Sequence, residues 1–388
     1  MKAKSRNPFE YGRELLAEEL VDREDELTEI DNTIRNRGKL FLIGPRRFGK
    51  TSLLAAAEER ARRAGVVVLR LDAERYETLQ LLARALLTGA ARELEAPVDK
   101  VIALFREVAA ALRPEVVIDG ATGTVSISLG AETRERGDLP LLSDALDAIE
   151  ALAARTGRET CVMLDEVQHI IIEHGQKAER LLRATVQRHR HVSYIFAGSS
   201  TRMLAAMTDD PNRPFFRLGA RLFLGKIPRE AFLDFLERGF TDSGFRIEQG
   251  ACETILSLAE EVPYNVQRLA NEAWERLRIE EEPFLHPRVV RAALERILRK
   301  EDPAYTQLWI GLTRNQKKIV KAVIETGGVN LLSTEVAQRF SMAPSSIQAA
   351  LKGLETAHLI RLEEVAGERR YRLVDPFLAT WIDMMQAA

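Results

Sequence analysis

The stretch that most constrains the fold is KLFLIGPRRFGKTSLL, which begins at Lys39 and joins an apolar run to a glycine-bounded loop. Residues 44–51 fit the pattern G-x-x-x-x-G-K-[ST] in full, between a predicted strand and a predicted helix. In such a loop, backbone N–H groups surround a phosphate, and the next helix points its positive end at the anion. We expect Lys50 to reach the β- and γ-phosphates and Thr51 to ligate Mg²⁺. The residues predicted to contact a nucleotide here are Gly44, Pro45, Arg46, Arg47, Phe48, Gly49, Lys50, Thr51 and Ser52.

Length and composition set the broad class of the protein. The chain has 388 residues, of which 46% are hydrophobic and 29% charged, and its formal net charge is −2. It is long enough for two or three domains and has the composition of a soluble globular protein. Its two cysteines, Cys161 and Cys252, lack metal-ligand spacing and are expected as buried thiols. We find neither a membrane-length apolar run nor the apolar segment of a signal peptide, which predicts a cytoplasmic location.

Apolar strands alternate with helices over the first 227 residues. This pattern predicts an α/β fold with a parallel sheet that is covered on both faces. A β-hairpin is expected at 115–130, as an insertion that either contacts a neighbour or effector or is a decoration. The predicted strands are 39–43, 66–72, 161–166, 192–200 and 220–227, and the predicted helices are 23–37, 50–63, 75–112, 140–156 and 176–190.

The remainder of the chain reads differently. Residues 228–300 carry helical patterns only, and three short helices followed by a two-stranded wing with its turn at 366–367 then indicate a winged helix. We therefore predict domains at 1–227, 228–305 and 306–388. Candidate DNA contacts are Lys352 on the recognition helix and Arg369 and Arg370 on the wing. Residues 313–388 contain ten Lys and Arg and eight Asp and Glu. This excess of positive charge is small for a domain that binds duplex DNA strongly, so a protein partner stays open.

The strand CVMLDE ends in two adjacent acids. Asp165 is expected to hold the Mg²⁺ shell, and Glu166 to position and activate an attacking water. An ordinary acidic turn is the alternative, and the phosphate loop upstream favours the functional interpretation. The strand ending AGSS is expected between the phosphate-loop strand and the CVMLDE strand, so Ser199 or Ser200 would face the γ-phosphate.

Several arginines remain open in the sequence. Arg217 and Arg221, with Arg213, precede the fifth strand, where an arginine could reach a neighbouring subunit's γ-phosphate or could simply be solvated. The side chains of Arg46 and Arg47 are expected to point to solvent or to pair with acids such as Asp165 and Glu166.

Five stretches of the chain together resemble the archaeal-type ATPases of the STAND branch of the AAA+ superfamily, over roughly residues 7–300. They are NPFEYGREL, LVDREDELTEI, GPRRFGKTSLL, CVMLDEVQHI and the strand that ends in AGSS. The resemblance implies a P-loop NTPase core of the AAA+/ASCE type, an all-helical lid and a C-terminal winged helix. It also implies that Val21 and Arg23 lie near the adenine and that Pro263 of the lid contacts nucleotide. Glu261 stands where the family has a glycine, which puts tight lid contact in doubt.

Three functions are compatible with these features. The first is an ATP- and Mg²⁺-dependent ATPase, slow and stimulated by a partner, whose hydrolysis resets a molecular switch. The alternatives are a nucleotide-gated DNA-binding protein and a scaffold that uses ATP as a structural ligand, which Glu166 makes the least favoured. Expected partners are duplex DNA, a protein effector and further copies of the chain in an ATP-dependent homo-oligomer, with no membrane.

Overall fold

The computed structural model describes residues 6–93, 114–118, 125–129, 138–199, 201–365 and 368–387. The chain forms two compact units. The sheet unit comprises Glu14–Pro45 and Lys50–Gly225, and the C-terminal unit comprises Met1–Arg13, Arg46–Gly49 and Lys226–Ala388. The sequence did not indicate that the four loop residues Arg46–Gly49 belong to the C-terminal unit.

The sheet unit is built on a five-stranded parallel sheet in the order β2-β5-β6-β1-β7. The predicted α/β class is confirmed, and so is the predicted place of β6 between β1 and β5. Every residue of β5 and β6 is buried, which explains why these strands are apolar throughout. The strands of this unit are β1 (Lys39–Ile43), β2 (Val67–Asp72), β3 (Pro114–Ile118), β4 (Val125–Leu129), β5 (Thr160–Asp165), β6 (Val192–Gly198) and β7 (Ala220–Phe223).

Helices cover this sheet with apolar stripes at helical spacing. In the first of them, Leu27, Ile30 and Ile34 recur every three to four residues and are all buried. Short 3-10 turns occupy Ala17–Glu19 and Ala73–Arg75. The helices of this unit are α1 (Glu24–Arg35), α2 (Lys50–Arg63), α3 (Leu79–Glu93), α4 (Asp138–Thr156), α5 (Gln168–Val186) and α6 (Thr201–Asp209).

Some predicted limits in the sheet unit are wrong. Helix α5 begins at Gln168 rather than near 176, because two helical stretches join across Gly175, whose φ of 62° interrupts the periodicity. Strand β7 ends at Phe223 rather than 227. The predicted hairpin is present as the antiparallel pair of β3 and β4. Its turn, and the predicted helix beyond residue 93, lie outside the described residues.

The C-terminal unit begins with an N-terminal segment and four helices. Phe9 is 1% exposed, and its ring lies 4.7 Å from that of Phe240 and 5.7 Å from that of Phe235. The prediction that 228–300 is helical only is wrong, because two-residue strands, too short for a periodic signal, pair in parallel as β8 (Arg246–Ile247) and β9 (Phe284–Leu285). The four helices are α7 (Arg229–Asp242), α8 (Ala251–Leu258), α9 (Pro263–Ile279) and α10 (Pro287–Gly311).

Three helices and a hairpin follow, as the winged-helix plan predicts. The Thr313 hydroxyl accepts from the Gln316 N–H (3.3 Å) and the Gln316 side chain accepts from the Thr313 N–H (2.9 Å), a capping box that starts the first helix. The predicted turn at 366–367 lies outside the described residues. The elements are α11 (Arg314–Thr326), α12 (Thr334–Arg339), α13 (Pro344–Thr356), β10 (Ile360–Val365), β11 (Glu368–Leu373) and a final helix, α14 (Pro376–Ala387), which the sequence patterns did not indicate. In the described part of the chain, no helix is both long and apolar enough to cross a membrane.

Candidate functional site

The glycine-bounded loop lies where strand β1 gives way to helix α2. A Cβ on Gly44 would lie 2.8 Å from Cβ of Leu224, so the first glycine allows the close approach of two chain segments. Gly49 has a φ of 89°, a left-handed conformation that disfavours any residue with a side chain. The two positions of the motif therefore require glycine for different reasons, Gly44 because of packing and Gly49 because of its backbone conformation.

The first residues of α2 meet the two acids at the end of β5. Lys50 is 5% exposed and donates from Nζ to Oε1 of Glu166 (3.2 Å). The Thr51 hydroxyl donates to Oδ2 of Asp165 (3.3 Å). Parallel strands and the helices that follow them meet at one edge of the sheet, and this brings together four residues that the sequence predicted as a site.

Glu166 is held by more than the lysine. Its Oε2 accepts from the backbone N–H of Ser199 (3.1 Å) and from the Ser199 hydroxyl (2.9 Å). The side-chain amide of Gln168 donates to the same oxygen, and Gln168 is 1% exposed. The prediction that the end of β6 faces this site agrees with the position of Ser199, whereas Ser200 is outside the described residues. Gln168 was missed, although it belongs to the LDEVQ motif.

The two carboxylates lie in contrasting electrostatic environments. Burial raises the pKa of Asp165, and the positive charge of Lys50 only partly opposes this. Burial also acts to raise the pKa of Glu166, but Lys50, Gln168 and Ser199 together outweigh it and bring the value to about 2. Glu166 is therefore firmly ionised and tied to Lys50.

The oxygen atoms of Thr51 and Asp165 suit a hard cation. Mg²⁺ binds oxygen ligands at about 2.1 Å in an octahedron, whose adjacent ligands are about 3 Å apart, and the two oxygens here are 3.3 Å apart. The described residues contain no cluster of three or more His, Cys, Asp or Glu that could hold a metal. The oxygens of Thr51 and Asp165 fit Mg²⁺, which usually keeps several waters and is bound by one or two carboxylates together with substrate phosphates.

Two family comparisons bear on this arrangement. Residues 20–269 match the family of ATPase domains found predominantly in Archaea, and residues 303–384 match a probable winged helix domain. The first match covers well over half of the chain and includes the loop and both acids. The chain belongs to this ATPase family. No curated protein is significantly similar to the ATPase.

Solved structures show the same fold over the whole length of the ATPase. A Walker-type ATPase of Pyrococcus abyssi is 20% identical with a TM-score of 0.64, over 97% of this chain and 99% of that chain. The ORC2 protein of Aeropyrum pernix, solved with ADPNP and ADP, is 17% identical with a TM-score of 0.58, over all of both chains. At these identities the likeness establishes the fold alone.

The other residues predicted to bind nucleotide in the sheet unit occupy varied positions. Arg23 is 7% exposed, and its guanidinium donates to Glu26 (2.6 Å) and to the carbonyl of Gly225 (2.7 Å). Val21 lies two residues before it and is partly buried. The Ser52 hydroxyl accepts from the backbone N–H of Leu15 (3.2 Å). Arg23 thus holds the carbonyl of Gly225, and a role of these residues toward adenine stays a prediction.

Three arginines, two of them before β7 and one within it, differ in their availability. Arg213 pairs with the fully buried Glu179, which commits its charge within the fold. Arg217 is exposed, with its guanidinium 5.0 Å from the ring of Phe216. Arg221 is 39% exposed and pairs with Asp209. Arg217 and Arg221 remain predicted as residues that could reach another subunit.

The loop residues Arg46–Gly49 have their surroundings in the C-terminal unit. Arg47, whose φ is 71°, forms an ion pair with Asp375 (2.7 Å), so the predicted pairing with Asp165 or Glu166 is wrong for this residue. Arg47 also lies 5.1 Å from the ring centre of Tyr264, whose N–H donates to the Arg47 carbonyl (3.2 Å). Phe48 is 4% exposed, and the Arg361 guanidinium lies 5.4 Å from its ring centre.

Asp375 is the common acceptor at the end of the wing. Its Oδ1 accepts from the side-chain amide of Asn265 (2.9 Å) and from the N–H of Phe377 (3.1 Å), and its Oδ2 accepts from the hydroxyl of Tyr305 (2.9 Å). Burial and the Asp375 carboxylate both raise the pKa of Tyr305, so this hydroxyl stays protonated as a donor. Sequence reasoning missed Asp375, because nothing local marks a carboxylate after a wing strand as a partner of a distant loop.

The lid proline and the predicted DNA contacts lie in the same unit. Pro263 is the first residue of α9, next to Tyr264. Lys352 is exposed on α13, and Arg369 is exposed on β11. Arg370 lies 3.7 Å from Glu363 across the wing. The roles of these residues toward nucleotide and DNA stay predictions.

Proposed function

We propose that the ATPase is a molecular switch of the STAND type, in which hydrolysis of ATP at the phosphate loop changes the setting of the winged helix. The observation that carries the proposal is the ion pair between Arg47 and Asp375. Arg47 lies three residues before Lys50 in the same loop, and Asp375 joins the last strand of the wing to α14. Rearrangement of the loop around phosphates would therefore act directly on the junction at Asp375.

The proposed chemistry follows from the positions of the side chains. The backbone of Gly44–Ser52 surrounds the phosphates, and Lys50 bonds the β- and γ-phosphate oxygens. Thr51 and Asp165 would hold Mg²⁺, which neutralises charge on the phosphates as the bond breaks. Glu166 orients the attacking water and accepts its proton, and Ser199 and Gln168 fix the carboxylate that does so.

The ion pair between Lys50 and Glu166 indicates that binding of ATP would itself make Glu166 a stronger base. The γ-phosphate of ATP competes with Glu166 for the lysine ammonium. When Lys50 moves toward phosphate, Glu166 loses the charge that does most to hold its pKa near 2, and its basicity increases. The site would thus hold a weak base until ATP arrives, which is consistent with the slow turnover that we propose.

Steady-state release of phosphate tests this function. Glu166→Gln should lower kcat by about 10²- to 10⁴-fold, since it removes the base, while ATP still binds. Lys50→Ala should abolish both binding and turnover, because it removes the cation that meets the phosphates. Lys226→Ala is a suitable control, since its ammonium bonds only Glu260 and Glu261 among the described residues. ATP that raises the melting temperature of the wild type without any turnover would instead support a scaffold with structural ATP.

A second role, nucleotide-gated binding of duplex DNA, is favoured by the exposure of Lys352 and Arg369 on the recognition helix and the wing. Both would contact phosphates and so position the domain without reading sequence. In this role the loop would adjust the winged helix through Asp375, and DNA or a protein effector would stimulate turnover.

A further inference from the structure

A second cationic surface lies on the first helix of the winged helix, away from the recognition helix in sequence. It is a cavity of about 440 Å³ between the end of α10 and the side of α11. Among the described residues that line it, four are cationic and none is acidic. The lining residues are Trp309, Arg314, Lys317, Lys318 and Lys321, here called the α11 basic face.

The α11 basic face is a true helix face. Positions 314, 317, 318 and 321 follow the spacing i, i+3, i+4 and i+7, so their side chains project from one side of α11. Like charges at these spacings repel one another and disfavour the helix. The next acid along the helix, Glu325, does not offset them, because it pairs with Arg339. Four of the ten Lys and Arg residues from 313 to 388 are thus gathered here, in a chain whose net charge is −2.

Two of the four cations are held in place by neutral groups. The Lys318 ammonium donates to the carbonyls of Phe340 (2.6 Å) and Ser341 (3.2 Å). The Lys317 ammonium lies 5.8 Å from the ring centre of Trp309. Arg314 and Lys321 form no ion pair with any acid in the described ranges. The positive charge is therefore oriented by the fold and remains unneutralised by it.

We propose that the α11 basic face binds the phosphate backbone of duplex DNA. From residue 314 to 321 the helix rises about 10 Å, and successive phosphates of one strand are about 3.4 Å apart along the duplex axis. With its axis along the duplex axis, the helix therefore spans about three such steps, or about four consecutive phosphates. Because Lys317 covers the indole ring, Trp309 supports the cations rather than stacking on a base, and the contact carries no sequence preference. The inference rests on the second proposed role and deepens it, since it names a surface that would meet DNA in addition to Lys352 and Arg369.

The test is fluorescence anisotropy with a labelled duplex of mixed sequence, over a series of salt concentrations and without ATP. Replacing Lys317 and Lys321 together by Gln should weaken binding about 10- to 100-fold at 0.1 M salt. It should also reduce the slope of log affinity against log salt by about 1.8, or about 0.9 for each lost phosphate contact. ATP turnover of the same samples should equal that of wild type, which verifies folding and reports separately on the catalytic site.

Two further pairs make the result specific. Arg238→Gln with Arg299→Gln removes the same charge from side chains that are 78% and 67% exposed in the same unit, and should leave binding unchanged. The double variant Lys352→Gln with Arg369→Gln measures the contribution of the recognition helix and the wing to DNA binding, separately from that of the α11 basic face. Equal losses in the Arg238 pair, or unchanged affinity and slope in the Lys317 pair, would overturn the proposal. Binding of polyglutamate but not DNA by the wild type would also overturn it, in favour of an acidic protein partner.

Discussion

At the scale of single residues, the two acids at the end of β5 differ more than their adjacency suggests. Both are largely buried and both lie beside α2, yet burial dominates at Asp165 and raises its pKa, whereas Lys50, Gln168 and Ser199 prevail at Glu166 and lower its pKa to about 2. The sequence predicted that they lie beside the phosphate loop, because strand ends in a parallel sheet converge. It could not indicate this asymmetry, which depends on which oxygen each donor reaches.

The asymmetry predicts opposite effects of two neutral substitutions on the nucleotide-free protein at pH 7. Asp165→Asn should raise the melting temperature, because it removes an ionised carboxylate that folding buries unfavourably. Glu166→Gln should lower it, because ionised Glu166 is stabilised by its partners in the folded state. Shifts of about 2–4 °C are expected in each case, and differential scanning calorimetry measures them.

The pH dependence follows from the sign of each shift. A lowered pKa in the folded state means that the contribution of Glu166 to stability is present above its ordinary value of 4.5 and is lost as the pH falls toward 2. The difference between Glu166→Gln and wild type should therefore shrink on acidification. The raised pKa of Asp165 makes its unfavourable contribution greatest at neutral pH and absent in acid. Equal shifts of the same sign for both variants would contradict these assignments.

At the scale of elements, strands and helices were predicted correctly where hydrophobic residues recur at a regular period. The predictions failed where a distant contact or an unusual backbone conformation determines the limits of an element. The core strands and α1 were found because burial imposes a period of 2 or 3.6, or an apolar run, on the sequence. The start of α5 was misplaced at Gly175. The last helix, α14, was not predicted although it holds Trp381, which is 4% exposed and donates from its indole N–H to Asp302 (2.8 Å).

Helix α14 should be fixed to α10 mainly by that tryptophan, whose ring centre lies 5.8 Å from that of Tyr305. Trp381→Ala should destabilise the protein by about 3–5 kcal/mol, since it leaves a cavity and an unpartnered acceptor on Asp302. Trp381→Phe should cost only about 1 kcal/mol, because it keeps an aromatic ring and loses the hydrogen bond. Urea unfolding of the C-terminal unit measures the free energy of unfolding of both variants. Equal losses would show that the ring itself contributes little.

At the scale of the whole molecule, no local pattern indicated that four loop residues cluster with the C-terminal unit. The motif itself was evident, since Gly49 and Lys50 are determined by the local needs of backbone and charge. The partner of Arg47 could not be read in this way, because Asp375 lies near the other end of the chain and carries no local signal. The proposed switch depends on that contact, because it joins the phosphate loop to the end of the wing.

The most direct measurement is a double-mutant cycle on ATP turnover with Arg47→Ala, Asp375→Asn and the double variant. Asp375→Asn removes the charge that holds Arg47 and retains one of the two oxygens that accept from Asn265, Phe377 and Tyr305. We predict that each single variant changes kcat/KM for ATP by a similar factor, of about 5- to 150-fold. The double variant should then show no further change, because both remove one interaction. Single effects that multiply in the double variant, or a kcat/KM that none of the three alters, would contradict a winged helix coupled to the phosphate loop.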